Sequence, residues 1–218
     1  MVGRYGVGPQ ASEAASVPEC ATGAKLSRIA TVAAPLAAVT AVKFVAFFRN
    51  LNLGRPHCPT RAQFEAAFAC AGASSAASFL TNGTMVFAPA PGVRPRVLLA
   101  RACERLRQDC GLREPAFLRR IDDLAALVAR DPFAGIDRAA VYECCVSFLH
   151  PHSAPLEDLP RASARGDVRL LQSTGAEVLS ISLQLGKSPG SPNAYLERLL
   201  GLPATTRSWS TVRRLVER

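Results

Sequence analysis

From residue 43 onward, short apolar runs alternate with stretches whose apolar positions recur every three to four residues, a pattern of strands interleaved with helices. KFVAFFRNL, beginning at Lys43, is apolar enough for a buried strand. TRAQFEAAFACAG then places Phe64, Ala67, Phe68 and Ala71 on one helical face before Gly72 ends it. SFLTNGTMVFA predicts a second strand kinked at Gly83, and Pro89, Pro91 and Pro95 break the chain ahead of a helix from about Val97 to Cys110. REPAFLRR gives a third strand, and IDDLAALVARDPF a helix with two acids in its first turn that stops before Pro132. The first half thus predicts β-α-β-α-β-α.

VYECCVSFL, residues 141–149, opens a second run with a central strand, and PLEDLPRAS is expected as a short helix. DVRLLQST and AEVLSISLQL pair across Gly175 as a hairpin. SPNAYLERLLG carries helix signals at each end: Ser191 as N-cap, Pro192 at the first helical position, Gly201 past the last turn. The expected fold class is α+β: two ferredoxin-like subdomains packed together, with mixed sheets and helices on one face. Residues 1–42, rich in Gly, Ala, Ser and Pro, predict a flexible extension; the subdomains are placed at 43–135 and 136–218.

Composition changes this picture in three ways. A net charge of +9 favours anionic partners. Only Lys25, Lys43 and Lys187 of the 26 basic residues are lysines, and the arginines are scattered, as a general compositional bias also produces. Seven cysteines without a C-x-x-C pair suit free thiols in a reducing cytoplasm, and with His57, His150 and His152 they form no zinc pattern, so neither metal nor cofactor is expected. The apolar stretch 29–48 approaches a spanning length, but Pro35, Lys43 and its Ala/Val/Thr make-up argue against a membrane partner.

Candidate chemistry gathers in three places. Gly186-Lys187-Ser188 lacks the earlier glycine of a phosphate loop, yet the following turn brings Ser191 and Asn193 to a helix N-terminus, where amides favour anions; by itself the stretch fits a plain capped turn better. Near the C-terminus Thr205, Thr206 and Arg207 precede Ser208, an N-cap, and Trp209, the sole tryptophan. An arginine fork, two hydroxyls and a helix end suit a carboxylate or phosphate, whereas Arg207 paired to an internal acid and Trp209 as a core anchor is the alternative. Arg49, Asn50, Asn52 and Gly54 end the first strand, with Asn82 and Gly83 in TNGT as the partner stretch. No catalytic triad or nucleophile elbow appears beside them.

Together FVAFFRNLNLG, FLTNGTMVF, DPF and SPNAYLERLLGLPATTRSWSTVRRLVE resemble the bacterial proteins catalogued as domain of unknown function 1697, over roughly residues 43 to 217. The departures are local. Asn50 stands where the family's first pattern has glycine, Thr81 to Thr84 keeps only Gly83 of a pattern close to Gln-Ser-Gly-Asn, and Ser208-Trp209-Ser210 replaces Asn-Trp-Asn. The resemblance implies a two-part α+β fold in the cytoplasm and no settled activity.

The function expected from these residues is binding of an anionic ligand, whether nucleotide-like, phosphorylated or a nucleic-acid backbone, between the Arg49–Gly54 loop and the Thr205–Trp209 corner. On that view Arg207→Ala weakens binding and leaves the melting temperature nearly unchanged. Two alternatives stand beside it: an enzyme acting on a small substrate through Cys58 or His57, and a scaffold with no pocket chemistry.

Overall fold

The protein is described by a computed structural model in which residues 42–218 are placed. All of the expected extension except Val42, and residues 29–41 of the apolar stretch, lie outside the described residues.

Alternation of side chains builds the first sheet. In β1 (Phe44–Phe48) Val45 and Phe47 face one way, and Ala46 and Phe48 the other; all four are buried. The strand therefore has to be covered on both faces. On the outer face lie α1 (Arg61–Cys70), closed by a reciprocal Thr60–Gln63 capping box, and α2 (Pro95–Cys110), stopped by Gly111 at φ 72°. Phe64, Phe68, Leu98 and Leu106 of these helices pack on Phe48, Met85 and Phe87.

SFLTNGTMVFA is not one kinked strand but parts of two, β2 (Ala73–Phe79) and β3 (Thr84–Pro89), joined by a tight turn. Leu80 at φ 60° and Gly83 at φ 67° reverse the chain. A Cβ added at Gly83 would lie 2.6 Å from Leu51 Cβ, so the turn also needs a glycine for space. With β4 (Ala116–Arg120) the order is β2-β3-β1-β4.

The second sheet has the order β6-β7-β8-β5-β9, from β5 (Glu143–Leu149), β6 (Arg161–Ala162), β7 (Val168–Ser173), β8 (Glu177–Ser182) and β9 (Ala204–Ser208). The helix expected in PLEDLPRAS is absent: Asp158 sits at φ 56°, Pro160 has no amide to donate, and Arg161–Ala162 pair with β7. Gly175, at φ 90°, turns the β7–β8 hairpin as expected.

Every pairing in both sheets is antiparallel, so the expected mixed sheets are not found. The reason is topological. β1 and β2 run the same way, as a crossover through a helix requires, but β3 inserts between them; β8 likewise separates β5 from β7.

The two sheets meet through one apolar layer. Phe47 stacks on Phe148 with ring centroids 3.9 Å apart, and Val45, Phe117, Val146, Leu179 and Ile181 surround the pair. α3 (Ile121–Ala129) and α5 (Trp209–Val216) add Leu124, Leu127, Trp209, Val212 and Leu215 to the same cluster. The remaining helix, α4 (Pro192–Leu200), covers the outer face of the second sheet through Leu196. Helices therefore lie on the outer faces of both sheets and against the layer between them.

Candidate functional site

β9 is an edge strand, and its register on β5 sets the site. Thr205 pairs with Phe148, Thr206 with Ser147 and Arg207 with Val146. Thr205 and Arg207 thus share the face of the inter-sheet residues Phe148 and Val146, whereas Thr206 shares that of Ser147. Hydrogen bonding agrees: the Thr206 hydroxyl lies 2.7 Å from the Ser147 hydroxyl and 3.4 Å from Asn193 Oδ1 at the start of α4.

Arg207 is a buried cation at the sheet interface, 8% exposed, with its guanidinium 5.6 Å from the centre of the Phe47 ring. Nε donates to Thr84 Oγ1 at 3.1 Å. Nη1 donates to Thr205 Oγ1 at 2.8 Å and to the Thr206 carbonyl at 2.9 Å. Nη2 donates to the carbonyls of Phe48, at 2.8 Å, and Asn82, at 2.7 Å. A guanidinium has five N–H groups, so each has an acceptor. All five acceptors are neutral, and no carboxylate among the described residues pairs with it. Burial alone pulls its pKa down, to about 10, which leaves it charged at neutral pH.

Above this group opens a cleft of about 280 Å³, lined by Phe48, Asn50, Leu51, Asn52, Asn82, Ser191, Asn193, Thr205, Thr206 and Arg207. Three separate loops make it. The strand-end loop is held by Leu53 N donating to the Thr81 carbonyl at 2.8 Å, which ties Asn50–Leu53 to the β2–β3 turn. Asn50 lies at φ 49°. Ser191 caps α4 by accepting from Ala194 N, which sets Asn193 in the first turn. Asn82 Oδ1 accepts from Thr84 Oγ1, while the side chains of Asn50 and Asn52 make no hydrogen bond among the described residues.

Of the residues singled out in the sequence, the cleft brings together Asn50, Asn52, Asn82, Ser191, Asn193, Thr205, Thr206 and Arg207. The others have different posts. Arg49 is clamped between Glu197, 2.5 Å from Nε, and Glu114, 2.8 Å from Nη1. Those two partners raise its pKa, and Arg49 in turn, with the Ala204 amide, holds the Glu197 carboxyl below its usual range. Gly83 packs on Leu51, and Gly54 closes a turn by donating to the Pro59 carbonyl. Ser208 caps α5 by accepting from Thr211 N, and Trp209 is a core residue against Phe133. Its indole N–H has no partner among the described residues.

Sequence reasoning missed Ser147, Glu114 and Glu197 as neighbours of the site, and Thr84 as a ligand of Arg207. Only the last carried a signal, its place in TNGT beside Asn82. Larger depressions exist, among them one of about 500 Å³ lined by Phe44, Arg94, Arg96, Arg119 and Arg120, but its arginine floor holds no buried uncompensated group: Arg119 pairs with Glu177 and Arg120 with Asp122. No hydrogen bond joins His57 to Cys58, and Cys58 packs partly against the α1–α2 core. Among the described residues no three His, Cys, Asp or Glu side chains gather as metal ligands, and no helix is long and apolar enough to cross a membrane.

Three comparisons bear on this arrangement. The family described as "Protein of unknown function (DUF1697)" matches residues 42–173, a span that holds the Asn50–Gly54 and Asn82–Thr84 walls and stops short of β9. No curated protein matches the chain. The solved structure of a conserved bacterial protein from Streptococcus pneumoniae superposes with a TM-score of 0.55 at 14% identity, over 81% of this chain and 97% of that one. At that identity the likeness is one of fold.

Proposed function

The chain belongs to the DUF1697 family, and from its own geometry we propose that it binds an anionic ligand in the cleft over Arg207. The observation that carries this reading is the buried Arg207, 8% exposed as a residue, whose guanidinium is satisfied in hydrogen bonds and unsatisfied in charge. A buried cation without a counter-ion is costly, because neutral acceptors replace only part of its hydration. An oxyanion in the cleft supplies the missing charge. The arginine acts on it through its field, since its N–H groups already have acceptors, and hydrogen bonds to the ligand fall to the cleft's amide and hydroxyl side chains.

A second support is convergence. Residues 49–54, with 81–84 as their partner stretch, and 205–207 are the candidates of the sequence, and the Arg207 bonds tie 205–207 to Asn82 and to Phe48, two positions before the cleft residue Asn50. The strand orders support reading the two halves, 43–135 and 136–218, as ferredoxin-like subdomains, the second with residues 150–167 in place of its first crossover helix.

The competing reading makes Arg207 a strut. It is favoured by the five bonds, which reach Phe48, Asn82 and Thr84 of the first sheet region and Thr205 and Thr206 of the second. Anion titration at constant ionic strength separates the two. Saturable shifts of the Asn52, Asn82 and Asn193 side-chain amides support the cleft, and amides indifferent to every anion support the strut.

A further inference from the structure

Resting on that reading of the cleft, we infer that its ligand is a small molecule bearing a single carboxylate and a hydrogen-bonding body, and that a polyanion such as a nucleic-acid strand is excluded. Charge is the first argument. Arg207 is the one cation among the residues lining the cleft. Arg49, next in the chain to the lining residue Asn50, is held by Glu197 and Glu114, a triad with one negative charge in excess. Neither carboxylate pairs with Arg207, whose five N–H groups all go to neutral acceptors. One positive charge beside a net negative neighbour suits one negative charge on the ligand. A nucleic-acid backbone needs cations in series, and the cleft lining offers one.

Size and lining add to this. About 280 Å³ lies just under the roughly 300–1,000 Å³ of pockets that enclose drug-sized ligands. Asn50, Asn52 and Asn82 each carry a carboxamide that both donates and accepts, which matches hydroxyl or amide groups next to the carboxylate. The phosphate-type anions that the net charge of +9 also invites bring a second charge that this cleft leaves uncompensated.

The test is calorimetric titration of the full chain, at fixed ionic strength, with glycolate, inorganic phosphate and a single-stranded dodecanucleotide, repeated on Asn52→Ala and Asn82→Ala. Asn52 is exposed and its side chain makes no hydrogen bond among the described residues, so its replacement spares the fold. Glycolate is expected to bind saturably, about tenfold tighter than phosphate, and about three- to tenfold more weakly to Asn52→Ala. Phosphate binding tighter than glycolate, or oligonucleotide binding that collapses with added salt, overturns the carboxylate assignment and leaves an anion cleft standing. Glycolate binding unchanged in both variants moves the ligand elsewhere and overturns the assignment too. No heat with any of the three probes overturns the cleft reading itself.

Discussion

Arg207 shows how far a single residue can be understood from sequence and where that stops. Its place beside two threonines and a helix start marked it as an anion candidate, and it does line the cleft. Three of its five partners were out of reach, because they come from residues 48, 82 and 84, more than 120 positions away, and two of these are backbone carbonyls that any residue could have offered. Those partners reverse the stability expectation. Arg207→Ala removes five hydrogen bonds at a buried interface and strips the Asn82 carbonyl of its charged donor, so it is expected to lower stability by about 3 kcal/mol or more, read as a lower urea midpoint. Arg207→Lys, with three donors, is expected to recover part of that loss.

The cysteines make a second case at this scale. Burial pushes the Cys145 thiol up to about 12 and Cys103 to about 11, and raises Cys144. Thiol labelling of the native protein at neutral pH, mapped by mass, is expected to modify exposed Cys70 first and to leave these three until unfolding. Fast selective labelling at Cys58 would instead revive the cysteine-enzyme alternative.

At the scale of elements, ends were legible and pairings were not. Ser191, Gly201 and Ser208 announce helix boundaries because caps are local chemistry, and each holds its predicted post. The β2–β3 turn escaped notice because its Leu80 sits at positive φ, which the sequence of an ordinary apolar residue does not advertise. Gly190 was equally silent. A Cβ there would lie 2.1 Å from the Asp167 carbonyl oxygen, while its own amide donates to Leu183 O at 2.9 Å and its carbonyl accepts from Ser182 Oγ at 2.6 Å. This close backbone approach fixes the strand-to-helix link that presents Ser191 and Asn193 to the cleft. Gly190→Ala is expected to destabilise by about 1–3 kcal/mol and to weaken any ligand bound beside Asn193, measured by a thermal melt and a titration on the same variant.

For the whole molecule, three arginines lock the sheets together around the Phe47–Phe148 stack. Arg49 reaches from the end of β1 to Glu197 on α4, Arg119 from β4 to Glu177 and the Ala176 carbonyl on the second sheet, and Arg207 from β9 to the first. The sequence separations of 148, 58 and 159 explain why composition showed only scattered arginine. One consequence concerns acid. The Glu197 carboxyl is depressed in the folded state by Arg49, so the stability it contributes is present above its unfolded pKa of about 4.3 and is lost as pH falls through the lower folded value. Glu197→Gln is expected to lower stability at neutral pH and to flatten the loss between about pH 5 and about pH 3, measured by urea midpoints across that window.

The central claim is that the charge of Arg207 is uncompensated and open to an anion. It is tested most directly by following the Arg207 Nε–Hε resonance of the intact protein during an acetate titration against chloride at constant ionic strength. A saturable shift accompanied by the Asn52 and Asn82 side-chain amides is the predicted result. An Nε–Hε signal that stays fixed to the highest acetate concentration, with those amides equally still, would contradict the claim and leave Arg207 as a strut between the sheets.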